Sequence, residues 1–189
     1  MPDYVLESRP PLAGYEKSFG DITLSAPADL ALVSIALPLG GEAAAMKAIK
    51  AAYGSDLPEV GKSCATAKGD ATLLRMASDQ ALVMFTHTTP DAERVVAGKL
   101  KGAAYTTDQT DVWCALEISG TGAVRALERI CPLDLHDNAF AVNDVARTMM
   151  EHLGVIILRT DPEGWLLLSA SSSAGSFLHA LETSITNVS

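Results

Sequence analysis

With 189 residues, the chain suits one domain or two fused halves, and it is long enough to bury roughly two thirds of its unfolded surface. Its net charge of −9 at pH 7 repels a phosphate backbone, which excludes the electrostatics typical of nucleic-acid-binding proteins. Because 48% of the residues are hydrophobic and only 20% are charged, the sequence predicts either a large core or an apolar surface that another chain covers.

Residues 1–20 are rich in proline and glycine, which disfavour both helices and strand pairing. We predict an extended N-terminal arm here, which is either frayed or lies along a partner. The first lobe is predicted at residues 21–102, with strands at 22–25, 31–37, 71–77 and 81–85. The loop at residues 55–69 has room for one more short strand.

Two helices complete the first lobe. One is predicted at residues 41–53, where the spacing of Met46, Ile49 and Tyr53 places them on one buried stripe. The other begins at a cap formed by Thr88 or Thr89. Its buried stripe is predicted to contain Ala92, Val95, Val96 and Leu100.

The second lobe is predicted at residues 103–189, with strands at 112–118, 145–150, 155–158 and 166–170 and an irregular segment at 134–143. Its first helix follows a turn at residues 119–122. The last helix begins at a cap formed by Ser172 or Ser173. The predicted buried residues of these two helices are Val124, Leu127 and Ile130 in the first, and Phe177, Leu178, Leu181 and Ile185 in the last.

The second lobe therefore repeats the element order of the first. Gly40 and Gly41 precede the first helix, as Gly120 and Gly122 precede its counterpart half a chain later. Several strands follow one another directly as hairpins, which is typical of an α+β fold rather than a doubly wound sheet. We predict an α+β fold of internally duplicated β-β-α-β-β-β-α lobes, packed as one compact two-lobed domain.

The turn Gly120-Thr121-Gly122 superficially resembles a loop that binds phosphate at the start of a helix. Arg125 stands where a dinucleotide fingerprint has its third glycine, however, and no lysine follows at the spacing of a P-loop. The sequence therefore favours a tight structural turn over a nucleotide site.

No metal or nucleophile motif is present in the sequence. The cysteines are isolated and the four histidines are scattered, whereas zinc sites bring such ligands together. A GxSxG motif is lacking, and the serines at 169–173 lie where a helix must begin. We predict that Cys114 and Cys131 are small buried hydrophobes.

Two polar groups remain as candidates. Asp134, Asp137 and Asp144 surround His136, which gives either acid-base potential or a solvated loop with local turn bonds. Arg147 and Arg159 lie on strands among apolar residues, where each could bind an anionic ligand, a carboxylate of a neighbouring subunit or a partner within the chain. We assign no catalytic, cofactor-binding or metal-binding residue to this chain.

The sequence also predicts the compartment. Residues 1–18 contain Asp3 and Glu7 and no apolar segment typical of a secretory signal, and no uncharged apolar run reaches the roughly 20 residues of a membrane span. The odd number of cysteines, Cys64, Cys114 and Cys131, fits a reducing compartment. We therefore expect a soluble cytoplasmic protein with no membrane contact.

Several segments resemble the gamma subunit of heterotetrameric sarcosine oxidase. The resemblance is clearest at residues 112–181, and the first hundred residues match mainly in layout. It rests on LEISG at 116–120, the helix that reaches Leu127, CPLDL at 131–135, ART at 146–148, WLLL at 165–168 and SFL at 176–178. The serines at 171–173 lack the arginine expected near them in relatives, which argues against an anion site there.

This resemblance implies a fold related to the folate-binding domain of the glycine-cleavage aminomethyltransferase. It also implies alpha, beta and delta partner subunits in an enzyme that oxidatively demethylates sarcosine to glycine, with formation of hydrogen peroxide and, when tetrahydrofolate is present, its methylene derivative. FAD, FMN and NAD would be held by the alpha and beta subunits and zinc by delta. The gamma subunit itself has no established catalytic residue.

The leading hypothesis is therefore a noncatalytic gamma subunit that stabilises the oxidase. One alternative is the gamma subunit of a related oxidoreductase acting on another N-methyl amino acid. A second is a folate-binding protein that acts alone in one-carbon metabolism through a cleft between the lobes. A third is a structural homodimer formed through exposed strand edges.

Overall fold

A computed structural model describes residues 9–88 and 90–188. In these residues, eleven strands form two antiparallel sheets, and four α-helices accompany them. The predicted α+β class is therefore confirmed. The first eight residues of the predicted arm, and Thr89 as a helix cap, lie outside the described residues.

From β2 onward, the elements follow the chain in the predicted order. The strands of the first half are β1 (Glu16–Phe19), β2 (Ile22–Ser25), β3 (Leu30–Ala36), β4 (Ser63–Ala65), β5 (Ala71–Arg75) and β6 (Gln80–Thr86), and its helices are α1 (Glu42–Tyr53) and α2 (Ala92–Leu100). The strands of the second half are β7 (Tyr105–Asp108), β8 (Trp113–Ser119), β9 (Val145–Met150), β10 (Leu153–Asp161) and β11 (Gly164–Ala170), and its helices are α3 (Ala123–Glu128) and α4 (Ala174–Thr186).

The duplication is visible in this order. From β2 to α2 and again from β7 to α4, the chain runs β-β-α-β-β-β-α. Sheet 1 has the strand order β4-β5-β6-β3-β7, and sheet 2 has the order β9-β10-β11-β8-β2-β1. Apart from the extra edge strand β1, the two sheets therefore have equivalent strands in equivalent places.

The two halves exchange one strand each. Strand β2 pairs with β8, where Leu24 lies opposite Ile118, and β7 pairs with β3, where Thr106 lies opposite Ile35. Strand pairing therefore does not follow the predicted boundary at residue 102, because each sheet takes its last equivalent strand from the other half. The division into lobes at 21–102 and 103–189 stays a prediction.

The two sheets pack face to face through a shared apolar layer. Alternate residues of a strand point to opposite faces, so Ile156 and Leu158 of β10 face sheet 1. There they join a cluster with Leu32, Leu74 and other buried residues of both sheets. The central strands are consequently buried on both faces, which explains their nearly continuous apolar sequences.

The helices cover the outer faces of the sheets. On sheet 1, Val33 belongs to a core cluster with Ile49 of α1 and Val96 of α2. On sheet 2, Ile157 belongs to a cluster with Phe177 of α4. The molecule thus has four layers, in the order helices, sheet 1, sheet 2 and helices.

Three buried layers account for the high apolar content of the chain. Among the described residues, the large hydrophobic side chains that remain exposed are Leu39, Met46, Val60, Tyr105, Val112, Val142 and Met149. Leu39 is 100% and Tyr105 is 70% exposed. Of the two predicted explanations for the hydropathy, the large core is therefore confirmed, whereas an apolar surface covered by another chain stays a prediction.

Helix α1 forms because its sequence is rich in alanine and ends at a glycine. Alanine has the highest helix propensity, and Gly54 adopts φ 69° and donates its N–H to the carbonyl oxygen of Lys50. Its buried residues include Ile49 and Tyr53 as predicted, but Met46 is 38% exposed and Ala45 is buried in its place.

Some other local predictions are wrong. Residues 16–19 of the predicted arm form β1, which pairs with β2. Helix α2 begins at Ala92, after Asp91 at the N-cap position, so Thr88 does not cap it. In α3 the buried residues are Ala123, Ala126 and Leu127, while Val124 is only half-buried. Ile130 is also half-buried and lies after the end of the helix at Glu128. The small alanines let this short helix pack closely on sheet 2.

Candidate functional site

A cleft of about 730 Å³ lies where β3 and β8 begin, between the two sheets. Leu32 of β3 and Trp113 of β8 form part of its wall. Residues 9–12 of the N-terminal segment and residues 171–172 before α4 also line it. Both halves of the duplicated chain therefore contribute to this cleft, as expected of a site between lobes.

The polar groups of the cleft are used mainly in bonds that hold the backbone. Asp108 accepts hydrogen bonds from the N–H of Thr110 at 2.9 Å and of Glu93 at 3.3 Å. The hydroxyl of Thr110 accepts the N–H of Leu32 at 3.2 Å. These contacts join β7 to β3 and α2, so they fix the strand that sheet 1 receives from the second half.

His87 is the cleft residue best suited to proton transfer. Its Nε2 lies 2.7 Å from Oδ1 of Asp91, four residues further along the chain. The geometry therefore supports a turn that joins β6 to α2 more than a catalytic pair.

The turn at residues 120–122 holds a carboxylate of the protein itself. Asp21, just before β2, accepts the N–H of Gly122 at 3.0 Å and the hydroxyl of Thr121. These bonds, with the hydroxyl of Thr121 as the main contributor, hold the pKa of Asp21 below its usual value. The amides that resemble a phosphate loop thus bind Asp21, which agrees with the prediction of a structural turn.

The acidic residues around His136 are divided among separate contacts. Asp134 accepts the backbone N–H of His136 at 3.1 Å, and Asp144 pairs with Lys62 of the first half. Asp137 pairs with Arg159, while Nε2 of His136 lies 3.4 Å from Glu128. The structure therefore favours the predicted alternative of a loop with local bonds, because the carboxylates do not converge on the imidazole.

Arg159 is a buried structural residue. It is 4% exposed and donates to the carbonyl oxygens of Phe140 at 2.7 Å and Pro162 at 2.6 Å. Its third contact is Asp137 at 2.5 Å, and its guanidinium lies 5.0 Å from the ring centre of Trp165. Of the predicted uses of Arg159, pairing within the chain is thus the one observed.

Arg147 has a different environment. Its side chain is exposed on the edge strand β9, and it lines a smaller cavity of about 180 Å³ between the sheets. Within residues 9–88 and 90–188, its guanidinium has neither a hydrogen bond nor an ion pair. Of the predicted uses of Arg147, pairing within the chain is therefore not observed among these residues.

The remaining candidates are structural. Cys114 and Cys131 are buried as predicted, and burial raises the pKa of the Cys114 thiol to about 11. Residues 171–173 form a short 3₁₀ turn that leads into α4, with Ser173 at its N-cap position. In the described part of the chain, no group of three or more His, Cys, Asp or Glu residues could hold a metal ion. None of the helices there has the length and hydropathy that a membrane crossing requires.

Two carboxylates that accept long-range hydrogen bonds were not predicted from the sequence. Asp21 caps the turn before α3, and Glu182 of α4 accepts the hydroxyl of Tyr15 at 2.8 Å and the ammonium of Lys17 at 2.8 Å. Burial and the neighbouring Glu182 raise the pKa of Tyr15. No local signal marks these pairs, because the partners are more than 100 residues apart in the sequence.

Comparisons with known proteins identify related chains. No family model matches the sequence. Over 122 residues, the chain is 32% identical to the sarcosine oxidase subunit gamma of an Arthrobacter species, covering 64% of this chain and 60% of that subunit. Over 135 residues, it is 30% identical to the subunit of the same name from Corynebacterium sp. strain P-1, covering 71% of this chain and 66% of that subunit. The matches thus span less than two thirds of these relatives.

Two solved structures share the fold. A chain of the heterotetrameric sarcosine oxidase from Corynebacterium sp. U-96, in complex with pyrrole 2-carboxylate, matches with a TM-score of 0.79 and 23% identity over 96% of both chains. The glycine cleavage system aminomethyltransferase T from Bartonella henselae matches with a TM-score of 0.62 and 13% identity, over 85% of this chain and 45% of that protein. The predicted resemblance is therefore confirmed: the chain is similar to sarcosine oxidase gamma subunits and has the fold of the aminomethyltransferase.

Proposed function

We propose that this chain is the gamma subunit of a heterotetrameric sarcosine oxidase, where it stabilises the assembly and supplies no catalytic residue. The observation that carries this proposal is the 32% identity over 122 residues with a named gamma subunit. The shared fold over 96% of a chain of the heterotetrameric enzyme supports it. The use of Asp21, Asp108 and Arg159 in backbone contacts supports a structural role for this subunit.

In this proposal, the chain assembles with alpha, beta and delta subunits in the cytoplasm. The assembled enzyme demethylates sarcosine to glycine, and FAD, FMN, NAD, tetrahydrofolate and zinc are bound by the partner subunits. The three unpaired cysteines support a reducing compartment. The two duplicated lobes act as one rigid block, because each sheet contains a strand of the other half.

Reconstitution tests the proposal. The alpha, beta and delta subunits of the same organism are expressed with and without this chain, and assembly is followed by light scattering. Hydrogen peroxide released from sarcosine measures turnover. We expect no turnover by the isolated chain, and a loss of assembly or of stability when the chain is left out. Unchanged assembly and turnover without the chain would contradict a stabilising role.

Calorimetry with tetrahydrofolate separates this proposal from a folate-binding protein that acts alone. The gamma-subunit role predicts no appreciable binding to the isolated chain. Light scattering of the isolated chain tests the third hypothesis, because a structural homodimer would have twice the mass of the 19.8 kDa monomer.

A further inference from the structure

The cavity that Arg147 lines has no acidic residue in its wall, although the chain as a whole is acidic. It has a volume of about 180 Å³ and lies between the end of β3, the β5–β6 hairpin and the start of β8. The chain carries 23 acidic residues, yet none of the residues that line this cavity is acidic. The polar side chains of its wall are Ser34, Gln80, Gln109, Trp113 and Arg147.

Four of these side chains carry N–H donors that lack a protein acceptor. In the described part of the chain, the guanidinium of Arg147 and the amides of Gln80 and Gln109 make no hydrogen bond. The indole Nε1 of Trp113 is buried and also has no acceptor there. The side chains of Arg147 and Gln80 are exposed and that of Gln109 is half-buried, so of these donors only the Trp113 N–H is buried. A buried N–H without an acceptor is costly, so natural structures usually satisfy it with protein, water or ligand.

The cavity is large enough to hold more than one water molecule. Its volume of about 180 Å³ is more than ten times the roughly 10–15 Å³ that a single water requires by the same measure. Apolar groups of Ile35, Met76 and Leu82 complete the wall. A ligand that fits this combination has an anionic acceptor at one end and a small apolar part at the other.

We propose that this cavity binds a small carboxylate-bearing molecule, with Arg147 as its charged partner. A guanidinium matches a carboxylate because two parallel N–H donors meet its two oxygens. The amides of Gln80 and Gln109 and the indole N–H of Trp113 are further donors for the same group. This site is separate from the 730 Å³ cleft, although Trp113 lines both. It does not depend on the gamma-subunit role.

The indole signals of the full chain test this proposal. The chain has two tryptophans, Trp113 and Trp165, so a ¹H–¹⁵N spectrum of the labelled protein contains two indole N–H signals. Trp165 is 2% exposed and belongs to the core cluster on the other face of sheet 2. A Trp113→Phe variant assigns the signals, and Trp165→Phe does so if the first variant does not fold.

Sodium acetate is the probe, sodium chloride at equal ionic strength controls for salt, and acetamide is the neutral isostere. We expect acetate to shift the Trp113 signal in a saturable way and to leave the Trp165 signal in place. Neither chloride nor acetamide should shift either signal. Arg147→Gln should weaken acetate binding by about tenfold or more, because a charge-assisted pair is lost.

The matched control is Arg94→Gln, since Arg94 is an exposed arginine of α2 that does not line the cavity. This variant should bind acetate as the natural chain does. The proposal is overturned if acetate moves neither signal, if it moves both equally, if chloride reproduces the shift, or if Arg147→Gln binds with unchanged affinity.

Discussion

The carboxylate of Asp21 accepts a hydrogen bond of 3.0 Å from the backbone N–H of Gly122, which lies 101 residues further along the chain. The hydroxyl of Thr121 donates to the same carboxylate. Asp21 immediately precedes β2, and Gly122 immediately precedes α3. This contact therefore fixes the exchanged strand of the first half against the first helix of the second half, and it satisfies a donor at the start of that helix.

Replacing Asp21 by Asn should lower stability at neutral pH. The pKa of Asp21 is lower in the folded chain than its ordinary value of 3.8, mainly through the hydrogen bond from Thr121. The ionised carboxylate therefore stabilises the fold above about pH 4, and this contribution is lost as the pH falls through the folded pKa. Thermal unfolding at several pH values measures the effect.

We expect the Asp21→Asn variant to melt a few degrees below the natural chain at pH 7, and the difference to shrink as the pH is lowered below 3.8. Asp111→Asn, at an exposed carboxylate, is the control and should not reproduce this pH-dependent difference. A constant difference at all pH values would mean that the charge of Asp21 is not the cause.

Gly120→Ala should destabilise the chain strongly. A Cβ at this position would lie 1.9 Å from the backbone oxygen of Asp21, and the residue has φ +118°. We expect a loss of about 3 kcal/mol or more in the free energy of unfolding, measured in urea. Gly98→Ala in α2 is the matched control, because nothing lies within 4 Å of its added methyl group.

The control should gain about 0.5–1 kcal/mol, since alanine has the higher helix propensity. Equal effects of the two substitutions would contradict the close approach of β2 to the turn before α3.

Arg159→Met should cost much more stability than Asp137→Asn. The arginine is buried and satisfies the carbonyl oxygens of Phe140 and Pro162, which its replacement leaves without donors. We expect a loss of about 2–4 kcal/mol in the free energy of unfolding. The side chain of Asp137 is 85% exposed, so its replacement should cost about 1 kcal/mol or less. A larger effect of Asp137→Asn would show that the ion pair dominates.

The cysteines should differ in reactivity. Burial raises the pKa of Cys114 to about 11, and Cys131 is also buried, whereas Cys64 is half-buried. Since the thiolate is the reactive form, a thiol reagent at pH 8 should label Cys64 first and Cys114 only after unfolding. Mass spectrometry of the labelled peptides identifies the sites. Rapid labelling of Cys114 in the native chain would contradict its place in the core of sheet 2.

Fragments 1–102 and 103–189 should not fold alone but should fold together. Sheet 1 lacks β7 in the first fragment, and sheet 2 lacks β2 in the second. The shared layer that contains Leu32 and Ile156 would also be exposed in both. Circular dichroism of the separate and mixed fragments measures this. A first fragment with native stability on its own would mean that residues 21–102 form an independent lobe.

From residue 21 onward, the sequence was sufficient to predict the order of the elements, but not the pairing of the strands. Residues 31–37 and 155–158 are nearly continuous apolar runs, which indicates strands buried on both faces. Strand β7 has the polar sequence YTTD and an edge position, so it lacks any apolar alternation. Its exchange with β2 is decided by contacts between distant residues, which a local pattern does not contain.

The start of α2 illustrates a similar limit. Thr88 has a hydroxyl that could cap a helix. However, Asp91 occupies the N-cap position, its carboxylate contacts the ring of His87, and α2 begins at the next residue, Ala92. For the first helix of the second half, the sequence marks the large side chains of Val124 and Ile130. Helix α3 ends at Glu128, however, and close packing on sheet 2 selects its face with Ala123 and Ala126. Propensity predicts that a helix exists, and tertiary packing decides which of its faces is buried.

For the candidate site, the sequence correctly predicted a structural turn at residues 120–122, where Arg125 replaces the glycine of a nucleotide fingerprint and Asp21 binds the turn. It also singled out both arginines on strands. It could not tell that Arg159 is buried among carbonyl oxygens while Arg147 lines a cavity, since both lie at similar places in apolar strands.

The exchange of β2 and β7 has a consequence for synthesis on the ribosome. When residue 100 has just been added, β3 can already pair with β6. Its other edge is still unpaired, because residues 105–108 of β7 have not been synthesised. Likewise, the edge of β2 that pairs with β8 stays open until β8 has been synthesised, nearly ninety residues later. A nascent chain of this kind exposes open edges for most of its translation, so it depends on rapid completion or on chaperones to avoid pairing with other chains.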